Sequence, residues 1–571
     1  MRHHWRLPCP GRGAAERLVG ELRIGLPAAL VLAHRGFADP AAARRFLAPA
    51  LDDLHDPWLL RGMPQAVERL RSAIRGGEKI LIYGDYDVDG TTSVVLLTKA
   101  IELAGGKADY HVPHRLKDGY GMRAEVVEAA ASAGVKLVIS VDTGIRAAEV
   151  VSRANELGID VIVTDHHLPE AALPPALAVL NPNQPGCPYP EKNLCGAGVA
   201  FKLAQALFGR LEWPEGRARR MTESLMKMAA IATVADVVPL TGENRVIVKH
   251  GLDSLGVVHN PGLRALLDVA GFPAGHVPTS RQVAFQIAPR LNAAGRMDTA
   301  RSTVELFLTA DAERARLLAS QLQDQNIDRR QVEGEIREIC EQVAVEEAAV
   351  ALVYYSENWH RGVLGIVASR LVERFHRPVF VLAYNSEDGM AQGSGRSIPA
   401  FHLLDALESM RDLFVRFGGH SHAAGVTLAP GRVDEFRRRF NAYAAALLRP
   451  EDLAPAEDID AILALREIDE RSVASVFSLA PFGHGNPPPL FAALNVEVAG
   501  PPALWKEKHL KVMVRQNGRT LALKAWNFAE RAAELPAGGR VDVAFRLEED
   551  SYSGWAAVLK DVRGASAAAA P

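Results

Sequence analysis

The sequence predicts an α/β protein built from a parallel-sheet domain, a long connector helix, a second α/β domain and a C-terminal β-barrel of OB type. Three observations predict it. Short apolar runs alternate with helical patterns from about residue 64 to 183, which is how a parallel sheet covered on both faces reads. A polar stretch rich in Arg, Glu and Gln extends from a cap at Asp311 to about Val345, and its length suits a helix joining two lobes. From about residue 476 the pattern changes to five short strand-like runs with little helix, as in a small barrel.

A chain of 571 residues exceeds one core and corresponds to about three or four domains. The expected order is a helical lead-in (1–55), the parallel-sheet domain (56–255), a helical connector (256–345), the second α/β domain (346–450), a linker (451–475), the barrel (476–564) and a disordered tail (565–571). Hydrophobic residues at 48% and charged residues at 23% are an ordinary globular balance. A net charge of −3 does not argue for nucleic acid, nor against it, because 68 acids and 65 bases can be segregated on one surface. Cys9, Cys187, Cys195 and Cys340 are too few and too irregular for a zinc knuckle or a disulfide framework, and read as reduced thiols. No apolar signal region follows the N-terminus, and no run approaches the roughly 18 apolar residues of a membrane span. The expectation is a soluble, cytoplasmic protein with no membrane partner.

In order along the chain, Pro40–Leu47 is helical in pattern, with Pro in the first turn. Gln65–Gly76 reads as an amphipathic helix and Ile80–Tyr83 as a buried strand. That strand runs into Asp85, Asp87 and Asp89; Gly90 then offers a tight turn before a helix from Thr91 to Leu103. Further strands are expected at 109–113, 136–142, 159–165 and 176–180, with helices at 123–134 and 145–158. Parallel strands open a ligand crevice at their carboxyl ends. Three of these strands end in acids: the triple aspartate, Asp142, and Asp165-His166-His167. The sheet therefore gathers at least four carboxylates and two imidazoles on one edge. Oxygen ligands with imidazole and no thiolate suit Mn²⁺ or Mg²⁺. So many acids exceed the needs of one ion, and two ions about 3.5–4 Å apart is the arrangement that hydrolyses phosphate esters. Taken singly, each feature has a plainer reading: a solvated acidic loop, a turn-forming Asp, a surface His pair.

The apolar helix at 221–235 ends at Asp236. The helix dipole disfavours an acid there, which a metal would offset; an exposed cap is the other reading. In Phe285–Met297, Arg290 and Arg296 either face a phosphate site or make ordinary ion pairs. The second α/β domain opens with a strand at 349–354, a glycine-containing loop and helix from Trp359, and a strand at 378–382. Two expected loops follow, Gly393-Ser-Gly-Arg-Ser397 and Gly418-Gly-His-Ser-His-Ala-Ala-Gly425. Gly, Ser and Arg allow close approach to a phosphate, although a plain turn uses the same residues. In the barrel, Lys506, Lys508, His509, Lys511 and Arg515 with Trp505 and Trp526 form either a single-strand-binding face or a basic edge over two core tryptophans.

Several stretches resemble a known family. Asp85-Tyr-Asp-Val-Asp-Gly90, Val141-Asp-Thr-Gly144, Asp165-His-His167 and Ala235-Asp-Val237 are similar, in order, to the four motifs of the DHH phosphoesterases. Gly418–Gly425 resembles the signature of their partner domain, DHHA1. His114–Gly121, Ala288–Arg296, Trp359–Gly365 and Pro481–Pro487 narrow the resemblance to the RecJ family of single-strand-specific DNA exonucleases, over nearly all of the chain past residue 55. The resemblance implies 5′→3′ release of 5′-mononucleotides from single-stranded DNA with Mn²⁺ or Mg²⁺, in repair and recombination. By match to the motifs it implies Asp87, Asp89, Asp142, His166 and Asp236 as metal ligands, with Asp85, Asp165 and His167 as ligands or the groups that orient them. It implies that His420 contacts the scissile phosphate, that Arg115, Ser394 and Arg396 hold the 5′ end, and that Tyr120 lies near a base. A helicase and a single-strand-binding protein are the implied protein partners, and a monomer is expected. Two rivals remain: a phosphodiesterase of short RNA or cyclic dinucleotides, whose chains generally stop after the second lobe, and a binding scaffold, which would lack several motif acids.

Overall fold

The structure is a computed structural model that describes residues 4–8, 11–115, 117–119, 121–343, 349–550 and 552–565. It divides into two compact units, one of residues 51–453 and one of residues 1–50 together with 454–571.

The first unit begins with a five-stranded parallel sheet in the order Ala108–His111, Lys79–Tyr83, Val135–Val141, Asp160–Thr164, Ala178–Leu180. Side chains alternate across the strands, so each face builds its own core. Ile80 and Ile82 pack with Leu97, Phe201 and Ile231 on one side. Leu81 and Tyr83 pack with Val127 and Val151 on the other. The register, with Ile82 opposite Ile139 and Ile139 opposite Ile162, brings the carboxyl ends of the three central strands level. The acidic segments after them emerge along one edge.

Beyond the first strand, the helix runs Val88–Leu103 and not from Thr91. The Asp87 side chain accepts from Gly90 N at 3.0 Å and caps the helix three residues early. Gly90 is therefore inside the first turn, where a Cβ would sit 2.7 Å from the Asp85 backbone. Its role is close approach, not turning.

The connector is a helix of 31 residues, Ala312–Gln342, with Asp311 as its cap accepting from Glu313 N at 2.8 Å. The second lobe is a five-stranded sheet in the order Arg416–Gly419, Ala423–Leu428, Met390–Arg396, Val379–Asn385, Leu352–Ser356. The stretch 393–396, expected as a loop, belongs to its central strand. A Cβ on Gly393 would lie 2.5 Å from Val381 O, and one on Gly395 2.4 Å from the Phe380 ring. These glycines admit neighbouring strands and an aromatic ring, which a sequence cannot distinguish from a phosphate cradle.

In the second unit, strands Phe491–Val498, Arg540–Asp550, Gly554–Gly564, Arg519–Ala525 and His509–Gln516 are consecutive neighbours, and the barrel closes where Glu497 pairs with Arg515. The stretch expected as a linker carries the strands Ala456–Asp458 and Ala461–Ile462 and most of the helix Glu470–Phe477. Leu463, Leu465 and Val473 enter the same core as Phe491, Phe545 and, from the lead-in, Leu18 and Leu32. His4–Arg6 pairs with Ala456–Asp458. Apart from Ala565, the expected disordered tail lies outside the described residues. Among the described residues no helix is long and apolar enough to cross a membrane.

Candidate active site

Each acid is held by its own local structure. Asp89 lies in the first turn of its helix, and its carboxylate accepts from Gly196 N at 2.6 Å and Ala197 N at 2.8 Å. Those amides open the helix Gly196–Phe208, whose positive end favours a carboxylate. A Cβ on Gly196 would fall 2.6 Å from the Asp142 Cβ, so glycine lets both acids share this helix end. Asp142 ends its strand with φ 58°, a left-handed conformation that is costly for a non-glycine residue. Its amide donates to Thr164 O at 3.0 Å. Asp236 caps the helix Arg217–Ala235, with its amide bonded to Ala232 O.

The histidines follow the third strand. His166 Nε2 is 3.2 Å from Asp142 Oδ1 and 3.8 Å from both Asp89 Oδ2 and Asp236 Oδ2. His167 Nδ1 is 2.7 Å from Asp165 Oδ1 and 4.0 Å from Asp142 Oδ1. Fully buried Asp165 accepts from Ile145 N, His166 N and His167 N. Although burial opposes its charge, His167 and these amides hold its carboxyl below the usual range. With its oxygens taken, Asp165 orients the pair of imidazoles. Donation from His167 Nδ1 leaves the ring's lone pair on Nε2.

The other acids behave in the opposite way. Burial, then the neighbouring Asp87, pushes Asp85 up to about 8. Burial, then Asp89, pushes Asp236 up to about 9. Asp87 and Asp142 are raised by the same two causes. Asp85 Oδ1 and Asp142 Oδ1 are buried with no hydrogen-bond donor among the described residues. Buried carboxylate oxygens without donors, crowded by like charges, are what a cation would satisfy. Three groups have ligand atoms within 4.8 Å of one another: Asp142–His166–His167, Asp89–His166–Asp236 and Asp85–Asp87–Asp142. The shared residues Asp142 and His166 link them into adjacent positions, and the O and N donors fit Mn²⁺ or Mg²⁺. Cys195 lies beside the acids, but burial and Asp89 keep its thiol protonated.

A cavity of about 340 Å³ opens over these acids and is also lined by Arg115, Asn292 and Arg296. The Arg115 guanidinium lies 4.8 Å over the Tyr86 ring. Arg296 donates from Nη1 to Gly362 O of the second lobe at 3.2 Å. Burial, then Arg115, lowers Arg296 to about 9 and also lowers Arg396. Arg396 Nη2 would be 3.0 Å from a Cβ on Gly365, at the start of the helix Leu364–Phe375, and Ser394 Cβ 3.6 Å from it. Arg115 thus contributes to lowering two guanidiniums, Arg296 and Arg396, and a cluster of positive charge beside a helix N-terminus suits an anion.

Other expected residues lie elsewhere. Arg290 is not on this cavity: its guanidinium donates to Gln323 Oε1 at 2.7 Å, and also to Gln286 O, tying its helix to the connector. His420 is exposed in the turn between the strands Arg416–Gly419 and Ala423–Leu428, three residues before Ala423, which pairs with Arg396, and does not line the acidic cavity. Tyr120 is outside the described residues. Lys508 and Lys511 are exposed on the barrel. There the Trp505 and Trp526 rings are 5.1 Å apart and 41% and 42% exposed, so neither is a core residue. Lys506 Nζ lies 5.3 Å over Trp505. Sequence reasoning missed the Gly196 and Ala197 amides, Tyr86 and Asn292; Cys195-Gly-Ala-Gly198 before an apolar run was a legible helix start.

Family models match three parts of the chain: "DHH family, N-terminal domain" over residues 79–233, "DHHA1 domain" over 346–446 and "RecJ OB domain" over 459–558. The single-stranded-DNA-specific exonuclease RecJ of Bacillus subtilis is 37% identical, over 96% of this chain and 69% of its own. That of Dickeya dadantii is 39% identical, over 94% and 95%. The crystal structure of Thermus thermophilus RecJ with Mn²⁺ superposes with a TM-score of 0.84 at 32% identity, over 99% of this chain and 80% of that one. Its Mg²⁺ complex gives 0.77 at 31%, over 99% and 79%. With that identity carried across all three domains, the chain belongs to the RecJ family.

Proposed function

We propose that the chain is a single-stranded-DNA-specific exonuclease that removes 5′-mononucleotides from the 5′ end with two divalent cations, Mn²⁺ or Mg²⁺. The observation that carries this is the meeting of Asp85, Asp87, Asp89, Asp142, Asp236, His166 and His167, from four distant segments, around adjacent cation positions. When bound, the cations supply a water of lowered pKa and positive charge at the phosphate under attack. The chain supplies the rest. Asp165 fixes His167 and the helix end at Gly196 fixes Asp89, so both are oriented in advance. Arg115, Arg396 and Ser394, with the start of the helix Leu364–Phe375, take the terminal phosphate and set direction, because only a strand end fits there. Arg296 joins the lobes beside that phosphate, and His420, although it stands exposed outside the acidic cavity, is the second-lobe residue we assign to the scissile phosphate. On the barrel, Trp505 and Trp526 stack bases, while Lys508 and Lys511 follow the backbone. We further propose a cytoplasmic monomer that works with a helicase and a single-strand-binding protein.

The test is product length on long labelled single strands with Mn²⁺. Mononucleotides are expected from the wild type, and Asp142→Ala is expected to lose activity by at least about 100-fold while staying folded. Undiminished cleavage by folded Asp142→Ala rejects the metal assignment, and cleavage confined to dinucleotides rejects the substrate.

A further inference from the structure

We infer that Asn292 is a phosphate-contacting residue: its side-chain NH₂ donates to a non-bridging oxygen of the scissile phosphate. This rests on the nuclease reading above. Asn292 Oδ1 accepts from Val88 N at 3.2 Å. A backbone N–H can only donate, so the amide oxygen has to face Val88 and the NH₂ has to point elsewhere. Asn292 lines the acidic cavity together with the carboxylates and Arg296. Among the described residues, no protein acceptor is seen for its NH₂. Its oxygen is turned toward Val88, so the group it presents to the cavity is the NH₂. What remains in the cavity is a neutral donor, held against the acidic loop at Val88. A phosphate oxygen is the acceptor such a cavity would take.

The local structure is built to aim this side chain. Val283–Ile287 is a π-helical turn directly before the helix Ala288–Met297. A π turn inserts one residue and rotates the helix that follows by about 100°. Asn292 and Arg296, four residues apart, then share one face toward the cavity. Gly295 lets that helix press on the acidic loop, since a Cβ there would lie 2.6 Å from Tyr86 O. On the opposite lobe, a Cβ on Gly362 would lie 2.2 Å from Arg296 O. A helix clamped on both sides holds the amide in one place, as a donor to developing charge must be.

The experiment places sulfur at each non-bridging position of the terminal linkage in turn, giving two diastereomers, and measures single-turnover cleavage in Mn²⁺. Sulfur is a poor acceptor, so the wild type is expected to discriminate between the two. Asn292→Ala is expected to cleave the oxygen substrate on the order of 100-fold more slowly. It is also expected to reduce the diastereomer ratio toward that set by the cations alone, and to bind Mn²⁺ with calorimetric affinity within about threefold of wild type. Should Asn292→Ala fold poorly, Asn292→Asp retains the acceptor for Val88 and removes the donor, and the same collapse of the ratio is expected. A variant that is slow but keeps the wild-type ratio overturns the contact. So does a variant that is as fast as wild type. A wild type that releases nothing from single strands overturns the proposed function instead.

Discussion

Single residues in this site are poised in two opposite directions, and pH separates them. Asp85 and Asp236 have folded-state values of about 8 and 9, against about 4 in an unfolded chain. Between those limits the cation-free folded protein holds more protons than the unfolded one. Its stability therefore falls as pH rises through roughly 4 to 9, and levels off above. Asp165 runs the other way: its lowered carboxyl contributes stability that disappears only in acid, below the unfolded value. Cations replace the protons on the raised acids, so binding should release them. The expected outcome is a melting temperature in EDTA that drops from pH 6 to pH 9, while the Mn²⁺-loaded protein changes little and the gap widens. A cation-free protein whose melting temperature rises across that range would contradict the raised acids.

At the scale of elements, the site depends on one helix end more than on any side chain. Gly196 donates to Asp89 and leaves room for Asp142, whose Cβ, Oδ1 and Cα would lie 2.6, 2.8 and 2.9 Å from an added methyl. Two of those atoms cannot move without displacing the strand end. Gly196→Ala is expected to fold, because alanine suits a helix better than glycine. Mn²⁺ affinity should nevertheless fall by about 10–100-fold, the range for losing a group that orients a ligand. Gly198→Ala is the control: its added methyl would be 3.3 Å from the Leu194 side chain, which can give way. Isothermal titration of both variants with Mn²⁺ checks this, and equal affinities would remove the helix end from the site. The same comparison shows what a sequence can reveal. Asp85, Asp142 and Asp165 were legible because an apolar strand must end at them and parallel strands must align. The helix beginning at Val88 was not, since Asp87 caps it through a side chain that also reads as a cation ligand. Gly393 and Gly395 were not legible either, because what excludes a Cβ there is Val381 and Phe380 on the adjacent strand.

For the whole molecule, the least legible feature is that residues 1–50 belong with residues 454–571. The alternation of acids and prolines after residue 450 hides Leu463, Leu465 and Ile468, and nothing local indicates that helices near the N-terminus cover them. Contacts more than 400 residues apart make the join. Trp5 Nε1 donates to Asp561 Oδ2 at 2.7 Å, Arg35 pairs with Asp460 at 2.8 Å, and Gly25 N donates to Ser475 Oγ at 2.9 Å. Trp5 is 4% exposed, and the Arg563 guanidinium covers its ring at 4.3 Å. Trp5→Ala would leave a cavity and remove one donor from buried Asp561, which Arg531 also holds at 2.8 Å. The expected cost is about 3–5 kcal/mol, confined to the unit that contains the barrel. The acids and histidines of the cation site lie wholly in the other unit, which has its own core. Calorimetry should then show two transitions, one raised by Mn²⁺ and indifferent to Trp5→Ala, the other lowered by Trp5→Ala and indifferent to Mn²⁺. A single transition that answered to both would mean that the two cores melt together, and that the barrel unit stabilises the cation site itself.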